Sequence, residues 1–231
     1  MLKISDFFSN FAKNYQSRMN TKEHAYNQSL TVTDLTREEV FNPTEWDLLA
    51  YSKPHDQYKG IEINLGNQGG GYPFRALDTD WRAVEYLYMC GRWSNNTKEH
   101  LDIQKDIMTA PSGYAVKRFK KPKHQKKMRQ DFDSFKMHWM LWCLWQKCLG
   151  SESFRKHLLS MPDDKVIVEY VKHDPVWAAY DDGTGMIRGC NAVPKILTIC
   201  KHCLQNGTEP EIDKQLLNSS NIYILGQKVN F

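Results

Sequence analysis

The sequence predicts an α+β domain, compact and predominantly α-helical, with a few short strands. Three observations lead there. Apolar residues make up 41% and charged residues 25% of 231, a globular composition on a chain long enough to bury one sizeable core. Apolar positions recur at helical spacing through most of the longer segments. Between them lie only brief runs with strand character, such as "KVIVEYV" (165–171). No apolar run approaches the roughly 20 residues that cross a bilayer, so no membrane partner is expected. The start, "MLKISDFFSNFAKNYQSRMN", has Phe and Ile at helical spacing but no continuous apolar stretch and no small-residue cleavage site. It reads as an amphipathic docking helix rather than a secretory signal, and the chain as cytoplasmic.

Taken in order, residues 1–35 read as an N-terminal extension, 36–210 as the domain, and 211–231 as a C-terminal tail. "LTREEVF" (35–41) has the composition of a helical turn. "YKGIEINLGNQGGGYPF" (58–74) alternates like a short strand and then runs into three glycines. Those glycines suit either a flexible turn or a close approach of backbone to a ligand. "DTDWRAVEYLYMCGRW" (78–93) reads as one amphipathic helix with Asp78 or Thr79 as its cap, because Trp81, Val84, Tyr88 and Met89 form an apolar stripe. Residues 98–110 and 112–121 look helical on either side of Pro111. "DFDSFKMHWMLWCLWQKCLG" (131–150) is apolar nearly all round, which predicts the central, buried helix. Ser151 is placed to cap a helix from 152, 165–171 reads as a strand, and 191–204 as a helix with Pro194 in its first turn.

Six cysteines lie in apolar, mostly helical contexts, which fits reduced thiols. "CKHC" (200–203) is a C-x-x-C without a second pair to complete a zinc site, and it falls late in a helix rather than at a redox motif's helix start. No metal is expected. Charge is unevenly spread. Net charge is +4, yet "KRFKKPKHQKKMR" (117–129) carries eight Lys/Arg, which leaves the remainder near −4. The run is either a solvated face or a phosphate-binding surface, with Lys117, Lys120, Lys121, Lys126 and Lys127 as its nucleic-acid contacts in the second reading.

Several polar residues sit in apolar company. Glu85 lies inside the helical stripe, four residues from both Trp81 and Met89, and Arg92 follows on the same face. Glu169 interrupts a strand, Asp174 and Trp177 bracket "DPVW" just after it, and Asn191 opens the last long helix. Carboxylates, aromatic planes and an arginine suit cleavage of an N-glycosidic bond. The developing oxocarbenium ion wants a fixed carboxylate, and a flat base wants a ring to stack on. Each residue also has a plainer role: Glu85 as a buried ion-pair partner, Asp174 as a turn former beside Pro175, Trp177 as core, Asn191 as a helix cap.

Those residues resemble a known family. "WRAVEYLYMCGRW" is similar to the signature helix of the NADAR family (named for NAD and ADP-ribose), with Glu85 on its acidic, Tyr88 on its aromatic and Arg92 on its basic position. "RQDFDSFKMHWMLWCLWQKCL" resembles a second block through Arg129, Asp131, Met140 and Lys147. "IVEYVKHDPVWA" resembles a third through Glu169, Asp174 and Trp177, and "GCNAVPKIL" a fourth through Asn191. The family's upstream Ser-Asn-Phe element is best matched by "LGN", which keeps Asn67 and has Gly66 for Ser. Met89 stands where the family usually has Gln, Phe132 where it has Trp, and Ala178 where it has Gly.

The resemblance implies an N-glycosidase or ADP-ribosyl hydrolase acting on ribose-phosphate nucleotides without metal or other cofactor. Glu85 and Asp174 would be catalytic. Asn67, Tyr88, Arg92, Arg129, Asp131, Glu169, Trp177 and Asn191 would bind substrate. "MLWCLWQKCL" and the basic run lean toward the branch that removes ADP-ribose from guanine in nucleic acid. Hydrolysis of riboflavin-pathway or other ribose-phosphate metabolites, and non-catalytic binding of an ADP-ribose derivative, are the alternatives.

Overall fold

The computed structural model describes residues 21–231 except 59, 70, 120 and 121, with the backbone alone for 122 and 123. The expected docking helix, Lys120 and Lys121 therefore lie outside the described residues. The fold is α+β, mostly helical, with strands only two to four residues long. In chain order it runs α1 (Lys22–Ser29), β1 (Glu39–Phe41), β2 (Leu48–Tyr51), β3 (Asp56–Tyr58), β4 (Ile61–Ile63), β5 (Phe74–Ala76) and β6 (Thr79–Trp81). Next come α2 (Val84–Gly91), α3 (Lys98–Met108), α4 (Gly113–Lys117), α5 (Pro122–Gln125), α6 (Phe132–Gly150) and α7 (Glu152–Ser160). The chain ends with β7 (Val166–Glu169), β8 (Tyr180–Asp181), β9 (Ile187–Gly189), α8 (Ala192–Asn206), α9 (Lys214–Ser219), β10 (Tyr223–Ile224) and β11 (Gln227–Lys228).

Helix α6 is the axis of the core, as its all-round apolar composition predicts. Phe135, Trp139, Leu141, Cys143, Leu144 and Cys148 are fully buried on it. Gly91 of α2 lies so close to the Trp139 indole that a Cβ there would stand 2.1 Å from Nε1, and that nitrogen donates to the Tyr88 carbonyl at 3.0 Å. Thus α2 and α6 touch backbone to ring. Strand β2 pairs in parallel with β7, Tyr51 opposite Glu169, which carries β7's last residue to the edge of the core. Strands β1, β9 and β8 form an antiparallel sheet in that order.

Four expectations change. The helix expected from 78 begins at Val84, because β5 and β6 form a hairpin whose turn residues, Leu77 and Asp78, both have positive φ. Two left-handed residues match the twist of a tight hairpin, so Asp78 serves a turn rather than a cap. The 35–41 stretch is divided between a 3-10 turn (Val32–Thr36) and β1. Ser151 stands at the start of α7 but its hydroxyl makes no capping bond. The helix expected over 112–121 ends at Lys117, after Ser112 caps it by accepting from Ala115 N–H at 3.2 Å. Residues on both sides of 36–210 pack on the same core: Leu30 and Leu35 before it, Leu217, Ile222, Ile224 and Val229 after it. All six cysteines are free thiols. Among the described residues no helix is long and apolar enough to cross a membrane.

Candidate active site

One cleft of about 290 Å³ gathers most of the residues singled out in the sequence. Its floor is α2, on which Glu85, Tyr88, Met89 and Arg92 share a face through their spacing of three, four and seven. The first turn of α2 has no side-chain cap. Instead the Asn67 carbonyl accepts the Glu85 N–H at 3.1 Å, so the loop ahead of the glycines both completes the helix start and delivers Asn67 to the cleft. The opposite wall is α6, running antiparallel to α2. The Arg92 guanidinium lies 5.7 Å from the Phe132 ring, while Met140, two turns further on, receives the Asn67 amide on its sulfur at 3.4 Å.

Glu85 is 6% exposed. Removal from water favours its neutral form and pushes its pKa up to about 7, against the pull of Lys117, Arg92 and a bond to Gln68. Glu169, half-buried at the end of β7, is also pushed up to about 7, again chiefly by loss of water and again against Lys117. The negative charge of Asp174 adds to the rise at both glutamates, and that of Glu85 to the rise at Glu169, so the two glutamates titrate as a pair of neighbours. Trp177 meets Tyr88 edge to face (centroids 5.5 Å apart, planes at 75°), and Tyr88 meets Phe132 the same way at 5.6 Å. That leaves an aromatic wall beside the carboxyls.

Two polar atoms on this cleft are buried and without a partner: Oδ1 of Asn67, an acceptor, and Nε of Arg92, a donor. A buried polar atom left unpaired costs about 1–3 kcal/mol, so each marks a place where a ligand atom improves the protein. Glu85 and Arg92 are separated by seven residues of helix, about 10 Å along its axis.

Not every expected site residue is here. Arg129 and Asp131 pair with each other (2.9 Å and 2.6 Å), and Arg129 donates further to Ser94 and to the carbonyls of Ser220 and Asn221. They clip the C-terminal segment to the body and do not line the cleft. Asn191, at φ +51°, makes no capping bond. Its Oδ1 accepts the Glu169 N–H at 3.2 Å and its Nδ2 donates to the Ile167 carbonyl at 2.8 Å, so it fixes the strand end that presents Glu169. Asp174 accepts the Trp177 N–H on Oδ1 at 3.1 Å and faces the Lys117 ammonium across 3.4 Å on Oδ2. Asp174 itself lines the cleft, beside Glu85 and Glu169. Lys126 and Lys127 are exposed outside the cleft, Lys127 paired with Glu99. Gln68, Asp133, Lys136 and Val193 also line the cleft, and nothing but three-dimensional proximity distinguishes them.

No family model matches the chain, and no curated protein matches it. Among solved structures, the NMR structure of the E. coli protein YbiA is similar with a TM-score of 0.53 at 19% identity, over 70% of this chain and 88% of YbiA. At that identity the likeness is one of fold: this chain and YbiA share an architecture over most of YbiA's length.

Proposed function

We propose that the cleft hydrolyses an N-glycosidic bond to ribose, and that its substrate is ADP-ribose carried on guanine in nucleic acid. The observation that carries this reading is Glu85: a carboxyl 6% exposed, titrating near neutral pH, beside a second such carboxyl and an unpartnered amide oxygen. One ionised and one protonated carboxyl at pH 7 are the two partners that glycoside hydrolysis needs. In this reading the C1–N bond opens as water attacks C1, Glu85 takes the water proton, and Glu169 gives its proton to the departing base. Asn67 Oδ1 accepts a ribose hydroxyl, Tyr88 and Trp177 hold the flat face of the base, and Arg92 takes a phosphate through its unpaired N–H. The exposed Lys126 and Lys127, on the segment leading to α6, supply a surface for flanking phosphates. Incubating the protein with DNA bearing ADP-ribosylated guanine, followed by mass spectrometry, tests it. Free ADP-ribose with restored guanine is the expected result, and intact adduct after prolonged incubation rules it out.

A cleft of about 290 Å³ is at the small end for ligand sites. That favours, as a second reading, a small ribose-phosphate metabolite cleaved at the same bond.

A further inference from the structure

The described cations of 117–129 do not share one environment. Arg118, Lys126 and Lys117 are all exposed, but Lys117 alone of these three also lines the cleft. Helix α4 explains why. At its start Gly113 lies flush against the residue-68 backbone, where a Cβ would stand 2.4 Å from the Gln68 oxygen and 2.7 Å from its Cα. Val116, fully buried, fixes the rotation of the helix. Lys117 is four residues after Gly113, hence on the same face and about 6 Å further along. It ends with its Nζ 3.4 Å from Asp174 Oδ2, at the mouth formed by Glu85 and Glu169.

Resting on the glycosidase reading, we propose that Lys117 is a positioning residue of the cleft and no part of a nucleic-acid surface: held on Asp174, its ammonium governs how many protons the Glu85–Glu169 pair carries. The groups facing this cluster are Glu85, Tyr88 and Arg92 from α2, Asp133 and Lys136 from α6, Gln68 from the loop before α2, Tyr51 from β2, Glu169 from β7, Asp174 and Trp177 from the loop beyond it, and Tyr114 on α4 itself. Lys117 is the largest opposing charge for both glutamates, ahead of Arg92 at Glu85. With both glutamates pushed up to about 7, the pair is not fully ionised at neutral pH. Removing the lysine leaves the pair protonated to higher pH and so short of the ionised base. Gly113 acts through the same route, because any side chain there lifts α4 from Gln68 and carries Lys117 off the cluster.

The test is a carboxyl-carbon NMR titration of the ligand-free protein, with Glu85→Gln and Glu169→Gln to assign the two transitions. Lys117→Met should raise the near-neutral transition by on the order of one pH unit, Lys117→Arg should restore most of it, and Gly113→Ala should shift it in the same direction as Lys117→Met. Nucleic-acid binding by Lys117→Met should keep its salt dependence. A folded Lys117→Met protein whose transitions match the wild type, or one that loses salt dependence instead, overturns the proposal. Should Lys117→Met not fold, Lys117→Gln and Gly113→Ala report on the same transition. The titration needs no turnover, so it stands or falls apart from the identity of the substrate.

Discussion

Arg92 and Arg129 are both arginines on the walls of the same core, joined directly by a backbone bond from the Arg129 N–H to the Arg92 carbonyl at 3.0 Å. Their side chains differ completely. Arg129 has a bidentate carboxylate, a serine hydroxyl and two carbonyls around its guanidinium. Arg92 has a buried Nε with no partner, and on Nη1 only a methionine sulfur at 3.8 Å. A guanidinium has five N–H donors in a rigid fork, and burying them unpaired is costly. The satisfied fork is scaffold; the unsatisfied one is suited to receive an anion. Both sit on family-like positions in the sequence, so only their hydrogen-bond partners tell them apart.

The sharpest way to break that distinction is to remove each arginine in turn. Arg129→Met leaves Asp131 to solvent and takes the donor from Ser94 and the Ser220–Asn221 carbonyls, and should cost about 1–3 kcal/mol of stability, the usual cost of buried polar groups left unpaired. Ligand affinity per folded molecule should hold. Arg92→Met should do the reverse, leaving chemical denaturation almost unmoved while affinity for ADP-ribose drops at least tenfold. Equal destabilisation by the two variants would show that hydrogen-bond satisfaction does not separate scaffold from site.

Glu85 extends the comparison to acids, against Asp131. The Arg129 guanidinium holds Asp131 below the ordinary carboxylate range, whereas Glu85 is pushed up to about 7. Glu85→Gln should lower turnover on the order of 10²-fold or more. Its stability effect has a definite sign. A carboxyl whose folded pKa exceeds its unfolded value favours the fold fully below the unfolded value, about 4.5, and that benefit is lost as pH rises through about 7. The amide variant should therefore gain on the wild type above neutral pH, by on the order of 1–3 kcal/mol, and the gain should shrink toward pH 4.5. Denaturation curves at pH 5 and pH 8 check it. A constant difference across that range would mean Glu85 is not protonated in the native state.

Trp177 is a weaker version of the same contrast. Its edge-to-face contact with Tyr88 serves packing, but it remains partly exposed on the cleft. Trp177→Ala should weaken nucleotide binding by roughly 1–3 kcal/mol, the worth of one stacked base. Loss of melting temperature with unchanged affinity would assign the ring to the core alone.

Much of this is legible in the chain. The 3.6-residue period places α6 at the centre and Glu85, Tyr88 and Arg92 on one face, because period and burial are both local properties. The family-like blocks point to Glu169 and Trp177 without knowledge of any tertiary contact. What escapes the sequence depends on the meeting of distant residues. The hairpin at Leu77–Asp78 overrides a plausible helix start, since strand pairing with Phe74–Ala76 is not visible in helical periodicity. Asn191 has the sequence position of a cap, yet its amide bridges Ile167 and Glu169, more than 20 residues away. Lys117 is the clearest case. It stands in a charge run and shares the composition of its neighbours, but the glycine four positions earlier seats its helix so that the partly exposed ammonium reaches Asp174 at the cleft.

The smallest expected effect concerns those neighbours. If Lys120, Lys121, Lys126 and Lys127 neutralise DNA phosphates, changing all four to Gln should weaken binding alike for every sequence and flatten the log–log salt dependence by about 0.9 for each duplex phosphate no longer neutralised. The change should fall short of the full four-phosphate value, because Lys127 is already paired with Glu99 and must leave that partner to reach a phosphate. An exposed ion pair of this kind is worth about 0–1 kcal/mol, so the exchange is nearly balanced and Lys127 adds little. Turnover of a small ADP-ribosyl guanosine should not change, since Lys126 and Lys127 are exposed and do not belong to the cleft lining. The contrast with Lys117 then becomes quantitative: four lysines of the run altering salt dependence without altering the near-neutral titration, and one cleft lysine doing the opposite. An unchanged salt slope in the quadruple variant would leave the basic run a solvated face, and the substrate a small nucleotide.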